Sequence, residues 1–496
     1  MRERISLGDI LLILAATIVA LLVHGYHSGI EDEAIYLPSI KKILNPSLYP
    51  HDSAFFLAQT KFTLFDKLIA LPVSVIGVPV SFVLFGTHIL TIFMVLLGCL
   101  QMSRLCFQDH YAHWGSVALV GALLTIPVTG TALYIMDQHL HPRSLSTVAV
   151  LFALIFALEK RYAPAVLCFI AGALIHAQMT FYGLMLTAFL VVRPPRHASL
   201  AVAAAPNFLN GVTPDEIWMQ ISVTRTHHYP LRWPWYEWLG VVGPLVLLLW
   251  FSALLKNGSS FFSHLCRRTA IFGALATLAA VTLTATPQLQ RLANLQPMRS
   301  FQLIYLLFFL LAGGLIGRWI LKDKPLRWVI LFLPLCLGMF AAQRAEFPAG
   351  SHIEWPGTVS KNPWLQAFEW VRLNTPNDAY FALDPHYMKN PGEDFHGFRG
   401  LAERSMMSDY VKDIAVVALS ATAGTIGADN GSAPSSLPVT WVEHMKALRG
   451  WKDFKLDDFR RLKDRFGVTW VVLEKPGHDD MPCQYENERL KVCLIP

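Results

Sequence analysis

Acidic residues are the first candidates for chemistry in this sequence. Glu31, Asp32 and Glu33 follow the first apolar run closely, and Asp52 comes after the turn NPSLYPHD. A carboxylate at a membrane boundary either faces water or takes part in chemistry, because apolar surroundings make its charge costly. In this place it could act as a general base that takes the proton of an attacking hydroxyl. The alternative is a hydrated patch of loop charge that sets topology, and the residues alone leave both open.

Basic residues recur at two later boundaries of apolar runs. One loop holds Arg225, His227, His228 and Arg232, and Arg299 precedes another run. Arginine forms two parallel hydrogen bonds to phosphate, and histidine can add a donor. The set is therefore a candidate site for the phosphate of a lipid-linked donor. The alternative is that each side chain extends from a helix end to the lipid headgroups.

A third polar group lies in the short loop MDQHLHPRS (136–144), which contains Asp137, His139, His141 and Arg143. Histidine and aspartate bind metal ions well, but this spacing fits no dedicated zinc motif. We therefore expect these residues to line the wall of a donor or acceptor cavity, with an ordinary loop as the alternative. The sequence has no Walker loop and no dinucleotide fingerprint, so a nucleotide site is not expected.

The composition is typical of a helical membrane protein. Hydrophobic residues make up 54% of the 496 positions and charged residues 15%, whereas a soluble chain carries about 25% charged residues. Apolar stretches long enough to cross a bilayer recur over the first 345 residues or so. They predict about eleven transmembrane helices, at 9–25, 80–103, 114–134, 144–158, 163–178, 179–193, 197–211, 236–255, 269–286, 300–321 and 327–344. The proline-broken run at 68–80 predicts a re-entrant or interface-lying segment.

The distribution of basic residues predicts the orientation. With the N-terminus inside, the inner segments hold about 14 basic residues and the outer segments about 9, in agreement with the positive-inside rule. Eleven spans then place the C-terminal part outside, which depends on the weak span at 197–211. The net charge of +6 mostly reflects the inner loops and does not indicate nucleic-acid binding.

The composition changes at Phe347, so we predict a transmembrane domain at 1–346 and a small soluble extracytoplasmic α/β domain at 347–496. Helical periodicity marks 362–376 and 457–467, and strand patterns mark 379–383 and 468–474. The run at 418–438 predicts a flexible loop. Cys483 and Cys493 could form a disulfide if this part is exported.

The segment GIEDEAIYLPSIKKILNPSLYPHDSAFF (29–56) resembles the first outer loop of bacterial multi-span proteins related to the GT-C glycosyltransferases. HPRS (141–144), LQPMRS (295–300) and the tail sequences WLQAFEWVRLNTPNDAYFALDP and GFRGLAERS are also similar to this group. The resemblance implies a polyprenyl-phosphate-linked sugar as donor, a bacterial inner membrane, and a catalytic acid at Asp32 or Glu31. Metal-dependent relatives would call for Asp-x-Asp in the first loop, and this loop has none, so no metal or other cofactor is expected.

These observations predict a GT-C-like enzyme that moves a sugar to an extracytoplasmic glycan, lipid or protein acceptor. Asp32 or Glu31 would be the base, and Glu33 and Asp52 would shape the site. One alternative is a non-catalytic component that binds, assembles or transports lipid-linked glycan in an exopolysaccharide pathway. Another is a scaffold whose spans only anchor the outer domain.

Overall fold

The structure is a computed structural model, and it describes residues 5–192, 221, 224–254, 260–390, 393–418, 437–477 and 480–496. The predicted span at 197–211 lies outside these residues, as do 212–220, 222, 223 and most of the run at 418–438. The chain divides into two compact units. The first unit comprises Met1–Gly25 and Thr87–Ala342, and the second comprises Tyr26–Gly86 and Gln343–Pro496.

This division differs from the predicted boundary at residue 346. The first loop and the residues up to Gly86 belong to the same unit as the C-terminal part. Hydropathy along the chain could not reveal this arrangement, because the contacts join segments that are more than three hundred residues apart, such as Tyr26 and His352.

The chain is mostly helical. The helices are α1 (Leu7–His24), α2 (Glu33–Leu44), α3 (Ser53–Phe56), α4 (Phe65–Ile76), α5 (Val80–Cys106), α6 (His110–Ala122), α7 (Pro142–Leu158), α8 (Tyr162–Val191), α9 (Trp235–Leu254), α10 (Ser260–Ala285), α11 (Phe301–Ile316), α12 (Pro325–Glu346), α13 (Pro363–Asn374), α14 (Phe398–Ala402), α15 (Leu437–Ala447) and α16 (Leu456–Phe466). The strands are β1 (Pro127–Val128), β2 (Leu133–Tyr134), β3 (Tyr380–Ala382), β4 (Ser405–Met406), β5 (Trp470–Glu474), β6 (Cys483–Glu486) and β7 (Leu490–Leu494).

Seven helices among the described residues are long and apolar enough to cross a membrane, which fits a helical membrane protein. They are Leu7–His24, Val80–Cys106, Tyr162–Val191, Trp235–Leu254, Phe261–Ala285, Leu292–Leu321 and Pro325–Glu346, and the shorter Pro142–Leu158 is also apolar. The count of eleven spans stays a prediction. The range 114–134 is not one helix, because α6 ends at Ala122 and β1 and β2 form an antiparallel pair after it.

Helix α1 begins and ends with local signals that its sequence supplies. The Ser6 hydroxyl accepts a hydrogen bond from the Asp9 amide at 3.1 Å, and the Asp9 carboxylate accepts one from the Ser6 amide at 2.8 Å. This reciprocal pair satisfies two amides that a helix start would leave open. Gly25 ends the helix with φ 76°, a conformation that favours glycine.

Helices α6 and α11 of the first unit pack through glycines. A side chain on Gly115 would collide with the carbonyl oxygen of Gly313, and one on Gly313 would collide with that of Gly115. Gly317, which follows α11, lies equally close to the carbonyl of Tyr111. Small residues at such a contact let two backbones approach closely, which is how helices associate in lipid.

Helix α8 turns back on itself at His176, where the backbone is not helical (φ −151°, ψ 90°). A Cβ on Gly172 would lie 2.8 Å from the Thr180 hydroxyl, although eight residues of a straight helix rise about 12 Å. The two predicted segments at 163–178 and 179–193 are therefore the arms of one hairpin. The Gln178 side chain fastens the turn by donating to the carbonyl oxygens of Asn294 and Leu295 at 3.2 and 2.9 Å.

Helix α4 of the second unit has two apolar faces with different surroundings. Phe65 and Ile69 are buried at 0% and 2% exposure, while the opposite face is open. The open face consists of Leu68, Leu71, Val75 and Ile76. An exposed apolar helix face of this kind is typical of a segment that lies in a membrane interface.

The second unit contains a five-stranded sheet in the order β4-β3-β5-β7-β6. Strand β3 pairs in parallel with β4 and β5, while β7 runs antiparallel to β5 and β6. Alternate residues of β5 enter two cores: Trp470 packs with α13 and α14 on one face, and Val471 packs with α16 on the other. Helices therefore cover both faces of the sheet, and Cys483 and Cys493 join its last two strands by a disulfide.

Arg399 in α14 anchors the segment after the helix. Its guanidinium donates two hydrogen bonds to Asp413 at 2.9 and 2.7 Å and lies over the Phe56 ring at 4.4 Å. Burial together with the Asp413 charge raises the pKa of the neighbouring Asp409 to about 6. The arginine is therefore the positive charge that lets two acids lie in the interior.

We predict that Arg399→Met lowers the free energy of unfolding by about 3–5 kcal/mol, because it leaves buried acids without a cation. The matched control is Arg372→Met on α13, whose side chain is 37% exposed and pairs with Glu369 at the surface. That change should cost about 0–1 kcal/mol. Urea denaturation of the purified protein, followed by tryptophan fluorescence, compares the two. Equal losses would contradict the buried role of Arg399.

Candidate active site

The first loop is built into the C-terminal segment by backbone pairing within the second unit. Tyr26 forms a parallel bridge with Ile353, and Ile30 forms an antiparallel bridge with His396. The Glu31 amide then donates to the Phe395 carbonyl oxygen at 3.1 Å. These bonds fix the backbone at the first of three consecutive acids, the last of which begins α2.

Glu31 and Asp32 share one buried lysine. The Lys412 ammonium donates to Glu31 and lies 3.4 Å from an Asp32 carboxylate oxygen. Burial is the largest influence on Lys412 and lowers its pKa, but the two acids together outweigh it and raise the pKa. The Glu31 and Asp32 side chains are 37% and 36% exposed. Both acids are thus held in place and still reach solvent.

Glu33 differs from its two neighbours because it is completely buried. Its carboxylate accepts a hydrogen bond from the Gly29 amide, which closes the turn before α2. Burial raises the pKa of Glu33 to about 8, although the Gly29 amide opposes that rise. A group at 0% exposure has no access to a dissolved or lipid-borne substrate. The predicted part of Glu33 in shaping the site is therefore limited to holding the loop.

Asp52 contacts strand β3 of the sheet. Its backbone has φ 55°, and its carboxylate accepts a hydrogen bond from the Tyr380 hydroxyl. Burial and the Asp52 charge both raise the pKa of Tyr380. The Ser405 hydroxyl holds the adjacent His51 backbone through its amide and its carbonyl oxygen, each at 3.1 Å. The structure thus gives Asp52 a fixed position against the sheet.

A cavity of about 480 Å³ opens in the second unit, next to the first loop. Its wall combines an apolar side with a few charged groups, as sites for amphiphilic ligands do. Lys41 pairs with Glu403 at 2.7 Å at the edge of this cavity, and burial lowers the lysine pKa. The lining includes Leu37, Leu84, Trp355, Lys41, Arg372 and Glu354.

A second charged group lies behind the loop, around His396. The imidazole nitrogens lie 3.1 Å from Glu354 and 3.1 Å from Glu393, and His27 lies 3.3 Å from the same Glu354 oxygen. Burial is the largest influence on His396, but the two carboxylates raise its pKa to about 10. Both carboxylates therefore favour the protonated form of the ring.

The predicted donor-phosphate residues lie in the first unit, and part of the set comes together there. His228 is buried, and its pKa is well below the ordinary value because of burial first and then the positive charges of His227, Arg225 and Arg299. The Arg299 guanidinium donates to Gln296 and lies 3.5 Å from Gln178 in the α8 turn. These residues form a basic cluster, consisting of Arg225, His227, His228 and Arg299.

Arg232 is held differently from the basic cluster. It is exposed, and its guanidinium lies over the Tyr229 ring at 5.1 Å. The nearby Trp233 donates from its indole to the Thr226 carbonyl oxygen at 3.1 Å, which fixes the turn between them.

The loop at 136–144 forms a compact buried network. Arg143 donates to both Asp137 oxygens at 2.8 Å, and the two side chains are 3% and 4% exposed. His141 accepts from the Arg143 amide at 2.8 Å and so caps the start of α7. The His139 and His141 rings are also buried. The geometry accounts for HPRS as a helix start, and its role in a cavity wall stays a prediction.

Four residues of the second unit were missed by sequence reasoning: Lys412, Tyr380, Glu354 and His396. Each contacts an acid or histidine far along the chain, although His396 also contacts Glu393 three residues away. A lysine, tyrosine or glutamate in a soluble segment carries no local signal, because such residues are usually surface residues.

No protein-family model and no curated protein matches this chain. The functional argument therefore depends on the chemistry of the described residues.

We predict that single cysteines will separate the exposed acid from the buried one. The thiol of an Asp32→Cys variant should react with a membrane-impermeant maleimide at least about tenfold faster than that of Glu33→Cys, because a buried thiol reacts only during local opening. The purified wild-type protein supplies the background rate of its own cysteines. Equal rates for the two variants would contradict the described loop.

Proposed function

We propose that the protein is a membrane glycosyltransferase that takes a sugar from a polyprenyl-phosphate donor. The observation that carries the proposal is the pair of solvent-reaching carboxylates, Glu31 and Asp32, held by buried Lys412 directly after the first apolar helix. The acceptor would be an extracytoplasmic glycan, lipid or protein. In this proposal the chain has about eleven spans and a C-terminal α/β domain on the outer side of a bacterial inner membrane.

Asp32 is the better candidate for the base. Both acids are about equally exposed, but Glu31 makes the closer contact to the Lys412 ammonium, while Asp32 lies 3.4 Å from it. In a direct inverting displacement, Asp32 takes the acceptor proton while the acceptor oxygen bonds to the anomeric carbon and the phosphate leaves. Glu31 would keep Lys412 in position. Asp52 would hold the first loop in place through its hydrogen bond from Tyr380 of β3.

The leaving phosphate needs positive charge. The basic cluster of the first unit suits a phosphate, because Arg225, Arg299 and two histidines lie near one another. We assign Arg232 to the same role, although its guanidinium lies over the Tyr229 ring. In the second unit, Lys41 and Arg372 give the cavity two cations beside apolar residues, which suits an amphiphilic donor or acceptor.

Two observations, besides the distribution of basic loops, support an outer location for the C-terminal domain. Cys483 and Cys493 form a disulfide, and disulfides persist in oxidising compartments outside the bacterial cytoplasm. The exposed apolar face of α4 supports a place for part of the second unit at the membrane surface.

We predict that Asp32→Asn lowers kcat by about 10²–10⁴-fold, the usual contribution of a general base. Glu31→Gln should have a smaller effect, because Asp32 itself remains to take the proton. Asp378→Asn is the matched control, since Asp378 is an exposed acid of the same unit. The assay measures release of polyprenyl phosphate from a panel of polyprenyl-phosphate sugars by the purified protein in nanodiscs. Full activity of both loop variants would overturn the assignment.

The second candidate is a protein that binds lipid-linked glycan without turning it over. The observation in its favour is that Lys412 already pairs with both loop acids, as a purely structural clamp would. Saturable binding of the donor without release of polyprenyl phosphate would support this candidate against the first.

A further inference from the structure

The second unit buries several carboxyl groups close to the first loop. Four carboxyl groups gather there, on Glu33, Glu354, Glu393 and Asp394, around the imidazoles of His27 and His396. Glu33 and Asp394 are 0% exposed and Glu393 is 4% exposed, so water does little to stabilise their charge. A protein interior rarely holds so many acids unless a cation compensates for them.

Three of these groups have the geometry of ligands to one ion. A carboxylate oxygen of Glu354, one of Asp394 and a ring nitrogen of His396 all lie within 4.8 Å of one another. The Glu354 oxygen and His396 Nε2 are 3.1 Å apart, and neighbouring ligands bound at about 2.1 Å from one ion are about 3.0–3.4 Å apart. The Glu354–His396 separation already lies in that range, and the Asp394 oxygen is within 4.8 Å of both atoms.

Gly350 marks where the two carboxylates converge. A Cβ on this glycine would lie 2.8 Å from Glu354 Oε1 and 2.9 Å from Asp394 Oδ2. The Gly350 amide donates to that Asp394 oxygen, so both carboxylates approach the backbone at this glycine, where a side chain would not fit.

Each of the three proposed ligands also makes a hydrogen bond that holds it in place. The Ala349 amide donates to Asp394 at 3.0 Å, and the Ser28 amide donates to Glu354 Oε2 at 3.0 Å. Glu393 Oε1 lies 3.1 Å from His396 Nδ1, so the carboxylate can orient the ring and leave Nε2 free to bind. Such outer contacts are what metal ligands in proteins usually have.

A separate observation points to a missing positive charge. The second oxygen of Glu393 and one oxygen of Glu33 are buried and accept no hydrogen bond among the described residues. Glu393 contacts His396 through its other oxygen, and Glu33 lies beside Ser28, which also holds Glu354. An ion among the ligands would lower the cost of burying both oxygens.

We propose that Glu354, Asp394 and His396 bind one divalent transition-metal ion, with Glu393 orienting the histidine. A set of two carboxylates and one imidazole favours Mn²⁺ or Zn²⁺ over Mg²⁺ and Ca²⁺, which prefer oxygen ligands alone. Since His396 and Glu354 adjoin the backbone bridges to Ile30 and Tyr26, the ion fastens the first loop to the C-terminal segment. This site was not expected from the sequence, where the metal question concerned Asp137, His139 and His141.

The direct test uses the purified full-length protein, stripped with EDTA and reloaded with MnCl₂, ZnCl₂ or MgCl₂. We expect about one tightly held Mn²⁺ or Zn²⁺ per chain by mass spectrometry, and a thermal midpoint that rises by several degrees over the stripped protein. The Mn²⁺ form should show nitrogen coupling from one histidine in pulsed electron paramagnetic resonance. These measurements need no variant, so a wild-type protein that retains no Mn²⁺ or Zn²⁺ would refute the proposal.

Variants then locate the ion. Asp394→Asn and His396→Ala should lose the bound metal and the thermal shift. His386→Ala should keep both, since His386 is 54% exposed and lies 3.7 Å from Asp384 in the same unit. Hydrogen exchange of residues 26–33 should speed up in the stripped wild type. Undiminished metal binding by His396→Ala would place the ion elsewhere. None of these readouts depends on sugar transfer.

Discussion

The structure of the second unit depends on matching buried charge where the first loop meets the C-terminal segment. Backbone pairing of Tyr26 with Ile353 and of Ile30 with His396 brings acidic residues out of water. Coulomb attraction is strong in that environment, and an unmatched charge is correspondingly unfavourable. The arrangement therefore persists only if each acid has a cation or a proton. Lys412, His396 and Arg399 supply positive charge at three places within the unit.

The same constraint sorts three consecutive acids into different roles. Glu31 lies before α2 with φ 46°, whereas Glu33 is the first residue of the helix, so their side chains leave the backbone in different directions. As a result, Glu33 turns into the interior against the Gly29 amide, while Glu31 and Asp32 remain at the surface beside Lys412. The buried acid gives up its charge more readily, as its raised pKa shows. Of the three acids, Glu31 and Asp32 are the two whose side chains reach solvent.

Local patterns in the sequence predicted elements well. The strand pattern at 468–474 corresponds to β5, and the helical pattern at 457–467 corresponds to α16, which ends at Gly467 with φ 75°. Periodicity reports burial of one face, so it can identify these elements. It could not predict that residues 26–86 pack with the C-terminal part, since partners such as Glu31 and Lys412 are 381 residues apart. For the candidate site, the sequence thus indicated the exposed acids but neither their cation nor the cluster around His396.

The presence of two acids beside one buried lysine has a chemical consequence. If a single carboxylate paired with Lys412, protonating it during a reaction would leave the ammonium buried without a partner, and that cost would oppose the proton transfer. With Glu31 in close contact, Asp32 can gain a proton while the lysine stays paired. The lysine also holds Asp32 in place beside Glu31. The adjacent pair therefore separates the task of holding the loop from the task of accepting a proton.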